Sequence, residues 1–207
     1  AMELQDNHAN TVIGYQAMYR SGATTYHNTF VGNLAGDGDW TGACHSNTAV
    51  GSSVMRGAMT STAVDNVAMG RDALAALTSG HSNVAIGKNA GASIVDATYN
   101  TAVGHNAGDA TVDGGRNVSL GAFSHGNADT GDKNIAIGYQ SGYVMTGSNN
   151  ITVGNQSGDS ITSGGNNTII GDTISTDTAT TSNQTVIGSG GVFKFQSKEY
   201  TCDHASD

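Results

Sequence analysis

Polar and apolar positions alternate along this chain in a short, recurring order. A polar amide is followed by Thr, Val or Ile, then by a mostly small residue, then by a large aliphatic one, and the unit closes on glycine. Copies begin at Asn10, Asn28, Asn47, Asn66, Asn83, Asn100, Asn117, Asn134, Asn150 and Asn167, and Gln184 stands in for Asn in the last. The closing glycines are Gly14, Gly32, Gly51, Gly70, Gly87, Gly104, Gly121, Gly138, Gly154, Gly171 and Gly188, spaced 16 to 19 residues apart. Eleven units at so constant a period read as a solenoid with one repeat per coil.

Inside each unit the side chains of a strand alternate between two faces. The aliphatic residue before the glycine (Ile86, Val103, Leu120, Ile137) therefore shares a face with the residue two places earlier (Val84, Thr101, Val118, Ile135). This reading turns that face into the core. It leaves the small residues Ala49, Ala68, Ala85, Ala102 and Ala136 outside, where their size points to a neighbouring chain packed closely against the strand. The glycine permits a positive φ or a close backbone approach. The Asn bonds its own backbone or stacks in a ladder along the rod. A second apolar position follows seven residues after the glycine, at Leu77, Ile94, Met145 and Ile161. Each coil is thus expected to hold two short strands and two turns around a thin core, with the segment from Asp72 to Leu77 as the one local competitor for helix. Eleven coils at ~4.8 Å per step make a rod about 50 Å long. So thin a core calls for support from other chains, most simply in a parallel homotrimer.

The fold class expected is all-β, a parallel β-solenoid of eleven ~17-residue coils. An entry segment covers 1–9, the repeats cover 10–188, and 189–207 breaks the period as a cap or junction. There Phe193 and Phe195 alternate like a strand, as an atypical terminal element closing a solenoid would.

Composition agrees with an array and excludes several classes. The 207 residues include 30 Gly and no Pro, which rules out collagen, and only 12% are charged. A net charge of −9 provides no basic footprint for nucleic acid or an anionic membrane. No apolar run approaches the ~18 residues of a spanning helix. Cys44 and Cys202 lie many coils apart and are read as free thiols.

The candidate chemistry sits in departures from the repeat. Asp37 and Asp39 flank Gly38 beside Trp40, so the carboxylates and indole could take a sugar or Ca²⁺, although a full metal loop is missing and a solvated turn is the plainer reading. His8, His45 and His81 stand two residues before their repeat Asn, with Tyr26 in the same column, and form a stripe suited to hydrogen bonding and stacking. Tyr19, Tyr26 and Trp40 fall in the first, longer coils, which makes residues 15–45 the preferred contact region. No zinc spacing, nucleophile elbow, P-loop or dinucleotide fingerprint occurs. No catalytic residue, metal or cofactor is therefore assigned, and a solenoid enzyme acting on polysaccharide is the least supported alternative.

The units Asn83-Val84-Ala85-Ile86-Gly87, Asn134-Ile135-Ala136-Ile137-Gly138 and Asn100-Thr101-Ala102-Val103-Gly104 resemble the head repeats of trimeric autotransporter adhesins of the YadA type. The extended form Ile137-Gly138-Tyr139-Gln140-Ser141-Gly142 resembles repeats of bacteriophage tail fibres. The resemblance covers residues 10–188. It implies a left-handed β-roll, a homotrimer, and attachment of a virion to a bacterial surface through a glycan or protein receptor. The alternative it implies is a bacterial cell-surface adhesin head. Coils about three residues longer than those of the adhesin heads favour the phage relatives. In such fibres an endosialidase-type intramolecular chaperone follows a Ser-Asp junction, which Ser206-Asp207 resembles.

Overall fold

A computed structural model of the chain describes residues 9–20, 25–127, 131–176 and 178–188. The strands are β1 (Thr11–Ile13), β2 (Thr29–Val31), β3 (Thr48–Val50), β4 (Val67–Met69), β5 (Val84–Ile86), β6 (Thr101–Val103), β7 (Val118–Leu120), β8 (Ile135–Ile137), β9 (Ile151–Val153), β10 (Thr168–Ile170) and β11 (Thr185–Ile187). They form one eleven-stranded sheet whose order is the sequence order, with every pair parallel. The fold is the expected β-solenoid. Register is fixed by identity of position: Ala49 lies beside Ala68, Ala68 beside Ala85, and Ala85 beside Ala102. The cap segment and Cys202 lie outside the described residues.

Two expectations about the coil are corrected. Among the described residues each coil contributes one strand, and the second apolar position lies in a turn. The cause is local backbone geometry. In one coil after another, residues two and four after the glycine are left-handed, as at Asn89 (φ 56°) with Gly91 (φ 55°) and Asn106 (φ 54°) with Gly108 (φ 56°). Extended chain cannot continue through them. Coil-to-coil hydrogen bonds persist there nonetheless, from the Leu74 N–H to the Ala90 carbonyl and from the Gly91 N–H to the Ala107 carbonyl (3.1 and 2.9 Å). The segment from Asp72 to Leu77 follows the same path, with Asp72 and Leu74 left-handed, and forms turns.

The second correction concerns direction. The central residue of each strand points inward, and the aliphatic residues on either side of it point out. Ala49, Ala68, Ala85, Ala102, Ser119, Ala136, Thr152 and Ile169 are buried, whereas Met69 is 49% and Leu120 45% exposed. The repeat Asn explains this. It lies inside the coil, and the residue two places later must share its face. Smallness at the central position therefore reflects a thin core.

That core has three recurring contributors: the central strand residue, a residue three after the glycine that is Ala or Ser in most coils, and one large residue from the turn, joined in some coils by a fourth such as Met55 or Leu74. Leu77, Ile94, Met145 and Ile161 fill the third place, as their spacing indicates. In the longer coils Trp40 and Met59 take it, eight residues after Gly32 and Gly51. The extra length encloses a wider core containing Met18, Phe30 and Met55. Phe30 takes the place of the usual small residue, and Gly36 makes room for its ring: a Cβ there would lie 2.7 Å from Phe30 Cδ1.

The buried asparagines form a continuous ladder. Each Oδ1 accepts the backbone N–H of the next coil's Asn, as from Asn83 to Asn100 (2.9 Å) and from Asn117 to Asn134 (2.8 Å). Each Nδ2 donates to a carbonyl three residues before that next Asn, as from Asn83 to Ala97 (2.8 Å) and from Asn100 to Gly114 (2.9 Å). One side chain thus fixes the corner of the following coil and leaves no amide group unmatched at the entrance to the sheet.

The apolar core is interrupted once among the described residues. One cluster runs from Met18 to Ala107, and a second gathers Met145, Ile161 and Ile169. The coil of β7 between them buries Ser119, Ser124 and His125. The His125 Nε2 lies 3.0 Å from the Met145 carbonyl, an acceptor only, so Nε2 carries the proton and Nδ1 is left without a partner. Burial pushes its pKa below the ordinary 6.5, against a smaller upward effect of that bond. An unfolded chain takes up a proton near 6.5 where the buried ring does not. Stability is therefore full above 6.5 and falls as pH drops below it, by up to about 1.4 kcal/mol per pH unit. Thermal melts across this range should show that decline. His125→Met, which repeats Met55 from the same position of an earlier coil, should flatten it. An equally steep decline in the variant would remove His125 as its cause.

Candidate functional site

Two rows of side chains stand on the outer face of the sheet. The row before the glycine is aliphatic in all eleven strands, from Ile13 at 59% exposure to Ile187 at 39%. The other row, at the first residue of each strand, is Thr in β1–β3, β6, β10 and β11 and aliphatic in β4, β5 and β7–β9. Because register is exact from strand to strand, the rows run straight along the rod. A three-residue strand is about 10 Å long, and eleven strands stack over about 50 Å. The face thus covers roughly 500 Å², and the row before the glycine runs along it as a continuous apolar strip.

The corner before the repeat Asn brings together part of the expected stripe. Tyr26 and His45 form a parallel backbone bridge, and their rings stack at 4.7 Å and 13°. Val64 takes the next place in the column and separates them from His81. His81 instead meets Tyr99 edge-on at 5.2 Å. His45 and His81 each pair Nδ1 with the hydroxyl of the following serine, at 3.2 and 3.3 Å. His8 lies outside the described residues.

The Asp37–Asp39 turn is closed by an arginine from the previous coil. Arg20 Nε donates to Asp37 Oδ1 at 3.0 Å, Nη2 donates to the Asp37 carbonyl at 3.2 Å, and Nη1 lies 3.6 Å from Asp39 Oδ2. The Asp37 bond raises the guanidinium pKa further. The single guanidinium offsets one of the two carboxylate charges and holds the turn closed as a structural ion pair. Among the described residues no group of three His, Cys, Asp or Glu is placed to hold a metal ion.

Trp40 is corrected as a contact residue: it is 3% exposed and packs on Phe30 with ring centres 5.3 Å apart. The lengthened coils accordingly serve the core more than a contact surface. Tyr19 is exposed, and so is Tyr15. Cys44 is buried with its thiol donating to the Thr60 carbonyl at 3.0 Å, and burial pushes its pKa up to about 12. Such a thiol is inert as a nucleophile.

A second aromatic group, at the corner after the glycine, was not singled out by the sequence. His105, Phe123 and Tyr139 come from three successive coils. Phe123 meets His105 edge-on at 5.1 Å and Tyr139 at 6.1 Å. Asn106 lies beside them and donates to Asp109 Oδ2 at 3.1 Å, and the Gln156 side chain donates to Gln140 Oε1 at 3.2 Å. The available signal was that Phe123 stands in a column otherwise occupied by Gln, Leu, Ser, Asp, Asn and Thr.

Comparison with known proteins found no matching family, no matching curated protein and no matching solved structure.

Proposed function

We propose that the chain is a shaft and receptor-binding segment of a phage tail fibre, which associates with copies of itself as a parallel homotrimer and attaches the virion to bacterial surface glycan. The observation that carries this reading is the straight row of outward aliphatic side chains before the glycines, beside a second row that is aliphatic in five strands and Thr in six. It supports lateral association of identical rods, because a face of that size and regularity is best covered by a surface of the same period. The repeat's resemblance to tail-fibre and adhesin heads supplies the trimer and the extracellular setting. The corners carry aromatic and amide side chains beyond the edges of the sheet, where three chains would present each weak contact in triplicate. Repetition of this kind raises avidity by orders of magnitude without a strong single site. The reading is of a binding protein and assigns no chemical step to any residue.

Binding of the purified protein to a panel of intact bacteria, before and after periodate oxidation of surface glycans, tests it. Retention on at least one strain, abolished by periodate, is the expected result. Retention unchanged by periodate, or on none of the panel, contradicts the glycan reading. Shortening of surface polysaccharide during the incubation contradicts the assignment as a binder.

A further inference from the structure

The coil of β7 breaks the repeat inside and outside at once. Inside, its serines and His125 interrupt the aliphatic core. Outside, Phe123 holds a left-handed backbone (φ 58°) with its side chain half-buried at the corner. A bulky aromatic in that conformation is uncommon and strained. The corresponding residues two coils to either side, Asn89 and Gln156, are amides that tolerate or soften the turn. Local rules fail together in this way at functional positions more often than elsewhere.

Phe123 is also the middle of three rings. His105 and Tyr139 stand edge-on to it from the coils before and after, so a shelf of aromatic surface crosses three coils. Both flanks of the shelf hold amides. Asn106 is anchored by its bond to Asp109 and receives one from Asn89 at 3.3 Å, and Gln140 is anchored by Gln156. Each of these amides keeps further donor or acceptor capacity. Rigid rings with few rotatable bonds offer contact area at low entropic cost. The hydrogens on one face of a pyranose ring are slightly positive and suit the negative face of an aromatic ring, while the sugar hydroxyls suit amides. The formal charges nearby are Asp109 and, one coil away, Lys88, so the shelf has no excess charge to select an ionic ligand.

We propose that His105, Phe123 and Tyr139, with Asn106 and Gln140 at their flanks, form a binding site for a neutral saccharide. The assignment rests on the attachment role proposed above and locates it on the three coils around β7, away from the first coils. Their place at a corner keeps them beside the sheet face that self-association would cover.

The test compares the intact protein with Phe123→Gln, Tyr139→Ala and, as a distant control, Tyr15→Ala. Phe123→Gln installs the residue that the next coil carries at this position, so the fold should tolerate it. Binding to immobilised mannan, dextran and galactan is measured alongside hyaluronan as an acidic polymer, with melting temperature and mass in solution as controls. The expected result is binding to at least one neutral polymer, weakened about tenfold or more by Phe123→Gln and by Tyr139→Ala, with mass unchanged and Tyr15→Ala silent. Equal binding by both variants, no neutral polymer bound, or binding to hyaluronan alone overturns the site. A loss of mass in Phe123→Gln also overturns it and makes the rings a contact between copies. Bacterial attachment that persists unchanged in Phe123→Gln refutes this site while leaving the attachment role standing. Absence of attachment by the unaltered protein refutes the role itself.

Discussion

Gly104→Ala is expected to destabilise the solenoid by about 3 kcal/mol or more, a large effect for a single methyl group. Two costs combine. Gly104 has φ 136°, a conformation essentially reserved for glycine. A Cβ on it would also lie 2.7 Å from the carbonyl carbon and oxygen of Gly121 and 3.0 Å from the Ala122 nitrogen. Those atoms belong to the backbone of the next coil, which is held in the ladder by the bond from the Gly121 N–H to the Val103 carbonyl (2.8 Å). The new methyl group cannot be relieved by rotating a side chain. Relief requires the coils to part. The column's last member provides the comparison: Gly188 has φ 81°, and a Cβ added there would meet nothing within 4 Å. Gly188→Ala should cost only the left-handed strain, about 1 kcal/mol. Urea unfolding of the two variants beside the parent checks both values. Equal losses would mean that coil-to-coil contact is not what demands the glycine.

Asn83→Ala is expected to cost about 2–4 kcal/mol, because it orphans buried groups that have no access to water. Asn83 is fully buried, accepts from the Asn100 N–H and donates to the Ala97 carbonyl and to Asn66 Oδ1 (2.9, 2.8 and 3.1 Å). Removing it breaks the ladder on both sides, so the damage should spread beyond one coil. Asn83→Asp has a diagnostic signature. A protonated carboxyl can still donate to the Ala97 carbonyl, whereas a buried carboxylate cannot and repels it. The folded-state pKa of the new carboxyl is thus raised above its unfolded value, and stability should fall as pH rises through the range where the unfolded chain ionises. Equilibrium unfolding at acidic and neutral pH measures this, and a loss independent of pH would contradict the buried ladder.

Much of the architecture is legible in residue order. The Asn, small-residue and Gly columns recur closely enough to give the solenoid, and stacking of like on like gives the parallel register. Leu77, Ile94, Met145 and Ile161 are identifiable as core because their offset from the glycine is constant. The facing of the strand is misleading in the sequence because large aliphatic residues ordinarily mark the inside. The decisive fact is that a repeat Asn satisfied by its neighbours in a ladder must be inside, and period two then places the small residue beside it. Trp40 misleads for a related reason. A tryptophan next to Gly-Asp-Gly-Asp looks exposed, yet it shares its eight-residue offset from the glycine with Met59, and both are buried. The Arg20–Asp37 pair spans 17 residues, one coil, and Tyr26–His45 spans 19, so partners one period apart meet. The Phe123 shelf is harder to foresee, because its three rings occupy two neighbouring columns and join only through the turn geometry.

The outward aliphatic face is the claim on which the rest depends, and mass in solution tests it most directly. Sedimentation equilibrium of the intact chain should give about three times 20.9 kDa, and Leu120→Asp combined with Ile86→Asp should give a single folded chain. The two substitutions sit on exposed side chains in the middle of the face and leave the core untouched. A parent protein that sediments as one chain, or a doubly substituted one that sediments as three, would contradict the account.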